Sequence, residues 1–544
     1  MDNNSPRLTS GAEAIVESLI REGVDTVFGY PGAAVLPLYN ALSVSGVRHI
    51  LTRTEQGAGH AASGYARISG KPGVCIATSG PGATNLFTAI ATAYGDSIPL
   101  VAITGQAATY KLGRDVFQEI DTTGAAEPFT KYTYLVKSAS SLGRVMKEAF
   151  HISSTGRKGP VLIDVPVDVQ LERAEVAFPD KADIRGYKPR YRGNALQVKR
   201  VAEAIMAAER PLLCFGGGIF LSGAEQAALD FCECADMPAV TTLMGVGALP
   251  ADHRLCYGML GPSGGAASRA AARSDLLIII GARVGDRAFR GPSGQIGASV
   301  VHIDIDPAEI GKNVGAAIPL VGDAALVMGQ LMEREITGSW PDWISELDGY
   351  RQADRDLFIS RPPPAKGVDP ARFLHEFSKM LPGGAVYIAD VGQNQVWAAR
   401  NNASNARFLT SGGMGTMGYS LPAAIGAGLA CPGRPVFAVI GDGAFQMAMG
   451  ELATIKSLGL PVKIVLINNN TLGLVREMQV SEGYGEYAVD LSGGPDYRLI
   501  AEAYGIRYAA AESLPSALDA ARAMLDCEGA YLLECSVDRG ELTI

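Results

Sequence analysis

Val436-Phe437-Ala438-Val439-Ile440-Gly441-Asp442-Gly443 is followed, after a helix-like stretch at 444–458, by Val462-Lys463-Ile464-Val465-Leu466-Ile467-Asn468-Asn469-Asn470. Two apolar runs flank a helical pattern and each ends in a polar turn, the order of a βαβ unit. A right-handed crossover places both strand ends on one edge of a parallel sheet, where such sheets bind ligands. Asp442 and Asn469 then converge. One carboxylate and one amide oxygen suit Mg²⁺, which takes oxygen ligands and completes its shell with substrate phosphates. The N–H groups of the Gly441-Asp442-Gly443 turn and the helix behind it suit a diphosphate. Singly, Gly-Asp-Gly and a strand-end Asn are ordinary turn chemistry. Their pairing on one βαβ frame reads as a metal–diphosphate site.

The chain has 544 residues, length for about three domains. Apolar residues make up 47%, enough for large buried cores. Net charge is 47 − 56 = −9 with no basic run, which argues against a nucleic-acid partner. Eight scattered cysteines, with Cys232-Glu233-Cys234 too tight for a usual zinc pair, read as reduced thiols of a cytoplasmic protein. The N-terminus, Met1-Asp2-Asn3-Asn4-Ser5-Pro6, lacks targeting character, and no apolar run reaches membrane-spanning length.

Two segments, about 179–193 and 338–367, read as linkers between three α/β blocks. The first and third blocks share a pattern. In the first, Gly70-Lys71-Pro72 leads to a strand at 74–77, Gly80-Pro81-Gly82, a helix with Ala91-Thr92, Pro99 and a strand from Leu100. In the third, Gly433-Arg434-Pro435 leads to the strand before Gly441-Asp442-Gly443, a helix with Ala453-Thr454, Pro461 and the next strand. A helix with paired alanines precedes each copy, Ala61-Ala62 and Ala423-Ala424. The fold expected is α/β, three doubly wound parallel-sheet domains with the first and third related. Pro81 stands in the first copy where Asp442 stands in the third, so the metal belongs to one twin. The middle block carries Gly216-Gly217-Gly218 after a strand at 211–215, then Thr241-Thr242-Leu243-Met244, Gly281-Ala282-Arg283 and a strand at 300–305. These strand-end turns suit a nucleotide site.

With these residues in place, the chain resembles the catalytic subunits of acetohydroxyacid (acetolactate) synthases, a thiamine diphosphate (ThDP) family, over nearly its full length. The resemblance rests on the Gly441-Asp442-Gly443 to Asn469 spacing and on Glu55 within Arg53-Thr54-Glu55-Gln56-Gly57-Ala58. It rests also on Phe28-Gly29-Tyr30-Pro31-Gly32, Thr78-Ser79-Gly80-Pro81-Gly82-Ala83-Thr84-Asn85, Phe117-Gln118-Glu119 and Gly413-Met414-Gly415-Thr416-Met417-Gly418. It implies a pyrimidine-binding domain over 1–180, a central FAD-binding-like domain over 190–345 and a diphosphate- and Mg²⁺-binding domain over 366–544.

The resemblance implies catalysis by Glu55, Gln118, Phe117 and Arg287. Glu55 corresponds to the acid that hydrogen-bonds the cofactor's pyrimidine; read from the residues alone, it is a first-turn acid complementing a helix dipole. Met417 corresponds to the apolar support under the bent cofactor, though a Met is often plain core filler. Further ThDP contacts implied are Pro31, Gly392, Gln393, Asn394, Gly415, Gly441, Asp442, Gly443, Ala444 and Asn469; Asn394 stands where a His is usual, and both can donate to phosphate. Mg²⁺ falls to Asp442, Asn469 and the Thr471 carbonyl. FAD, with a structural role, falls to Arg157, Gly216, Gly217, Gly218, Thr242, Leu243, Met244, Gly281, Arg283, Arg287, Asp323 and Ala324. Here Leu260-Gly261-Pro262-Ser263 and Gly285 depart from the family pattern. Arg287 corresponds to the clamp on an acceptor carboxylate, a task a planar guanidinium suits; its bland alternative is a surface ion pair with Asp286.

The acceptor side departs more. Val167 stands for a Lys, Met478 for a Trp that favours 2-oxobutyrate, Thr54 for a His, and Ile544 ends the chain short of a covering tail. The implied activity is decarboxylation of pyruvate and ligation of the hydroxyethyl unit to a second 2-oxoacid, giving 2-acetolactate and CO₂. The alternatives are a ThDP carboligase or decarboxylase with another acceptor, which those departures favour, and a non-catalytic paralogue, against which Glu55, Asp442, Asn469 and Met417 speak. Since Glu55 and the metal ligands lie in different domains, the family pattern implies sites shared between two chains of a homodimer or homotetramer. A regulatory small subunit is a further partner the resemblance suggests.

Overall fold

In the computed structural model the chain is described over residues 6–261, 264–285, 288 and 297–543. Three six-stranded sheets follow one another, all parallel. In the first, the strands lie side by side as Arg48–Leu51, Thr26–Gly29, Gly73–Ala77, Leu100–Gln106, Pro160–Pro166 and Tyr132–Leu135. In the third, the order is Arg407–Leu409, Val386–Ala389, Val436–Gly441, Lys463–Asn468, Tyr531–Ser536 and Arg507–Ala511. Numbered within each domain, both read 2-1-3-4-6-5, so the repeat in the sequence is a repeat of topology. The middle sheet runs Cys256–Met259, Ala239–Thr241, Pro211–Phe215, Leu276–Ile280, Ser299–Asp304 and Ile318–Val321. Its order, 3-2-1-4-5-6, is the dinucleotide-binding one, with its switch point between Pro211–Phe215 and Leu276–Ile280.

These strands are near-continuous apolar runs because helices cover both faces. Leu276–Ile280 and Pro211–Phe215 are buried throughout. The twin domains meet through the two helices that carry the paired alanines, Glu55–Ser69 and Ser420–Ala430. Their backbones approach at two glycines: a Cβ on Gly64 would stand 2.1 Å from the Ala423 carbonyl oxygen, and one on Gly426 would stand 1.8 Å from that of Ala61. A hydrogen bond between the Ser63 and Tyr419 hydroxyls, 3.1 Å, closes the contact.

Two sequence expectations change. The segment 338–367 is no open linker: it holds the 20-residue helix Pro341–Ser360. Trp340, Trp343 and Leu347 recur at helical spacing and sink into the middle core, and the Trp343 indole donates to the Pro211 carbonyl at 3.0 Å. The expected boundary at 345 therefore falls inside a helix. The stretch 444–458 is not one helix either. It begins at Asp442, breaks at the 3₁₀ turn Met449–Glu451 and resumes over Leu452–Leu458. The break turns the Glu451 carboxylate toward the first domain, where it accepts from backbone N–H groups.

Candidate active site

The polar residues collect at the carboxyl ends of the strands. In the third domain Gly441 pairs with Ile467, so Asp442 and Asn469 leave neighbouring strands side by side. Asp442 is 3% exposed. Its Oδ1 accepts from Gly443 N at 3.1 Å, while Oδ2 is buried without a partner. Burial pushes this carboxyl up to about 7, with backbone donors pulling the other way. A buried, unpartnered carboxylate oxygen is costly in a protein interior, and a cation relieves that cost. Asn469 is also buried; its Oδ1 accepts from Thr471 N at 3.2 Å and its amide donates to Gln393 Oε1 at 3.0 Å. Among the described residues no three His, Cys, Asp or Glu side chains gather to hold a metal. A cation here would lean on one carboxylate, an amide oxygen, the Thr471 carbonyl and outside oxygens, a set that matches magnesium's preference. The donor set therefore fits the metal–diphosphate expectation.

Met417 lies against this turn: its Cε is 3.3 Å from where a Cβ on Gly443 would be. Asp390, which the sequence reading did not single out, holds the Met417 turn. It is fully buried and accepts from Val391 N (2.8 Å), Gly418 N (2.9 Å) and Ser420 N (2.7 Å). Asp96 of the first domain adds bonds from Gly412 N and Gly413 N, and Thr92 meets Thr416 hydroxyl to hydroxyl at 2.6 Å. Asp390 precedes Gly392 by two residues, and that adjacency was the signal available in the sequence. The Gly392-Gln393-Asn394 turn differs from expectation. The Asn394 amide points inward, donating to Asp390 O (2.7 Å) and Val439 O (3.4 Å). Gln393 is engaged by Asn469, Glu477 and the Glu541 carbonyl. The groups this turn could offer a phosphate are therefore the first N–H groups of helix Gln393–Arg400.

The first domain builds the complementary half. Glu55 opens helix Glu55–Ser69 behind its N-cap Thr54, whose side chain accepts from Gly57 N. Asn85 donates to Glu55 Oε2 at 3.0 Å, and Gly82 and Thr78 lie close by. Pro31 is exposed at the neighbouring strand end. Gln118 sits at φ +59° against Gly80, and Phe117 beside it is 85% exposed. Val167, at the end of Pro160–Pro166, shares this edge but not the cavity that Met478 lines. Glu55 and Asp442 share no hydrogen bond or ion pair within the chain.

That cavity, about 980 Å³, runs from the middle sheet's switch point to the third domain. Arg157, Gly217, Gly218, Thr242, Leu243, Met244, Gly281, Arg283, Asp323 and Ala324 line it at one end, and Gly415, Leu474, Glu477 and Met478 at the other. Gly216 packs beneath, against Gly281. Leu260, Gly261 and Gly285 also line it, while Pro262, Ser263, Asp286 and Arg287 lie outside the described residues. Two expected ligands are already engaged. The Arg157 guanidinium pairs with Glu309 (2.6 Å) and Asp306 (3.3 Å), and Asp323 caps helix Ala324–Met332 and accepts from Ser222. Burial pushes the Asp304 carboxyl at the same edge up to about 6. Shape, size and glycine-lined rim fit an elongated dinucleotide.

Known proteins align with this arrangement. Residues 9–125 match the family described as thiamine pyrophosphate enzyme, N-terminal TPP binding domain; 198–331 match its central domain, and 390–535 its C-terminal TPP binding domain. The probable acetolactate synthase large subunit of Methanocaldococcus jannaschii is 42% identical over 98% of this chain and 92% of its own. The acetolactate synthase large subunit IlvB1 of Mycobacterium tuberculosis is 44% identical, covering 95% of this chain and 87% of its own. That of Corynebacterium glutamicum is 42% identical, covering 96% and 86%. The twin ThDP half-sites and this near-complete similarity place the chain in the acetolactate synthase large-subunit family of thiamine pyrophosphate enzymes.

Proposed function

We propose that the protein converts two pyruvate ions and one proton into 2-acetolactate and CO₂. The observation that carries this is the buried, partnerless Asp442 Oδ2 beside Asn469, with Met417 across the turn, in a chain similar throughout to acetolactate synthase large subunits. Bound ThDP supplies the carbon nucleophile and electron sink that let a 2-oxoacid lose CO₂. Asp442, Asn469 and the Thr471 carbonyl would hold Mg²⁺, and the N–H groups opening helices Asp442–Ala448 and Gln393–Arg400 would hold the diphosphate. Met417 would support the cofactor from below. Glu55, kept in place by Asn85, would hydrogen-bond its pyrimidine and hold the proton there. Gln118 and Phe117 would border the reacting carbon, and Arg287 would pair with the acceptor's carboxylate. Met478 and Val167 would shape the acceptor side.

The long cavity supports FAD as a structural cofactor, held by the residues that line it. Exposed apolar side chains around both half-sites, Phe117 with Met414 and Met447, support a homodimer as the smallest working unit, with Glu55 serving the partner's metal site. Relatives named as large subunits support a regulatory small subunit as a further partner. The test is a pyruvate-only assay with Mg²⁺, ThDP and FAD added. Acetolactate together with CO₂ is expected; CO₂ alone, or turnover only with another acceptor, would assign the chain a decarboxylation or a different carboligation, and no turnover of any 2-oxoacid would remove the reading.

A further inference from the structure

Glu451 belongs to the third domain but its carboxylate lies in the first domain's half-site. The side chain is 3% exposed. Its Oε1 accepts from Arg53 N at 2.9 Å and from Thr54 N at 3.2 Å, and its Oε2 accepts from Thr454 Oγ1 at 2.8 Å. Those two amides immediately precede Glu55. N–H groups at a helix start have no acceptor within the helix, so they need one from outside. The remaining polar atoms of Thr54 are also committed: its carbonyl accepts from Thr52 Oγ1 (2.9 Å) and Ala58 N (3.0 Å), and its hydroxyl from Gly57 N (2.9 Å). Gly57 makes the approach sterically feasible. A Cβ there would stand 2.3 Å from Glu451 Oε1. A glycine in the first turn of a helix weakens it, and here it clears the space the carboxylate fills.

We propose that Glu451 is a positioning residue for Glu55. It fixes the peptides from which Glu55 departs, and so the direction in which its carboxylate faces the cofactor; it does this through geometry, not through its charge. The inference rests on the assignment of Glu55 above, and the test separates the two.

The test uses the full-length protein with Glu451→Ala and Glu451→Gln. In the cofactor-free protein, hydrogen–deuterium exchange reads the amides of Arg53 and Thr54. In the protein loaded with Mg²⁺ and ThDP, exchange of the cofactor's C2 proton reads Glu55 directly, and pyruvate kinetics separate kcat from KM. Glu451→Ala is expected to raise amide exchange at Arg53 and Thr54 about tenfold or more. It should slow C2-proton exchange and kcat about 100-fold while pyruvate KM stays within about twofold, since misplacing a catalytic group by about 1 Å costs that much. Glu451→Gln keeps an acceptor oxygen for both amides and should stay within about fivefold of wild type. Equal losses in the two variants would overturn the geometric role, and wild-type C2 exchange in Glu451→Ala would overturn the positioning role altogether. Should Glu451→Ala fail to fold, Thr454→Val removes the donor that steadies Oε2; about a tenfold loss is expected and an unchanged rate overturns the proposal. If wild type itself shows no ThDP-dependent turnover, the Glu55 assignment fails, while amide protection at Arg53 and Thr54 still reports whether Glu451 holds that turn.

Discussion

Replacing Asp390 with Asn alters one atom in a site whose every contact is defined. The carboxylate is fully buried and takes three backbone donors, two on Oδ1 and Ser420 N on Oδ2 at 2.7 Å. In Asn one oxygen becomes an NH₂ group, so at least one N–H loses its acceptor and faces another donor. Hydrogen bonds to charged groups contribute about 1.5–3 kcal/mol, and a buried orphan N–H adds about 1–3 kcal/mol, so the turn pays about 2.5–6 kcal/mol in total. In a chain of three domains a single unfolding free energy is ill-defined. Most of this cost is expected to be relieved locally, by release of Gly418 and Ser420 and with them Met417. If about 3 kcal/mol goes into displacing that turn, cofactor affinity falls about 100-fold, since about 1.4 kcal/mol is a factor of ten. Calorimetric titration with ThDP at saturating Mg²⁺ measures this. Binding within about threefold of wild type would refute the reasoning that Asp390 organises the Met417 turn.

Asp164 is buried between Thr104 and Gln106, and burial pushes its carboxyl up to about 7. Between about pH 4 and 7 the folded chain keeps a proton that the unfolded chain releases, so stability falls as pH rises through that window and is level above it. The fall amounts to about 4 kcal/mol at most. Asp164→Asn should remove that slope from urea-unfolding curves of the first domain. Trp343→Ala should cost the middle domain about 3–5 kcal/mol by emptying a core position, read as earlier urea unfolding and faster proteolysis near helix Pro341–Ser360. Met478 lines the cavity and is 44% exposed. Wild type should discriminate weakly between pyruvate and 2-oxobutyrate as acceptors, and Met478→Trp should favour 2-oxobutyrate by about tenfold in mixed-substrate product ratios.

The parallel sheets were legible because strands covered on both faces must be apolar throughout, as at Pro211–Phe215 and Leu276–Ile280. The relation of the twin domains was legible because turn glycines and paired alanines serve one topology twice. Asp442 and Asn469 were legible because one βαβ crossover brings them together. Helix Pro341–Ser360 was not: its exposed residues are mostly polar, Leu357 and Ile359 apart, and Pro362-Pro363-Pro364 follows its end, so its three anchors were lost in a linker-like composition. Asp96 and Glu451 were also hidden, and Asp390 was marked only by its place two residues before Gly392. Their backbone N–H partners carry no side-chain signature, and in the case of Asp96 and Glu451 those lie more than 300 residues away. The inward turn of Asn394 likewise depends on the carbonyls of Asp390 and Val439, which no side-chain pattern records.

The central claim is that Glu55 of the first domain and the Asp442–Asn469 pair of the third serve one ThDP reaction. It is tested most directly by comparing wild type with Glu55→Gln for acetolactate formation from pyruvate, at saturating Mg²⁺ and ThDP. Wild type is expected to form acetolactate with CO₂, and the variant to stay folded and bind Mg²⁺–ThDP while losing at least about 100-fold in kcat. A folded Glu55→Gln protein that makes acetolactate at the wild-type rate would contradict the account.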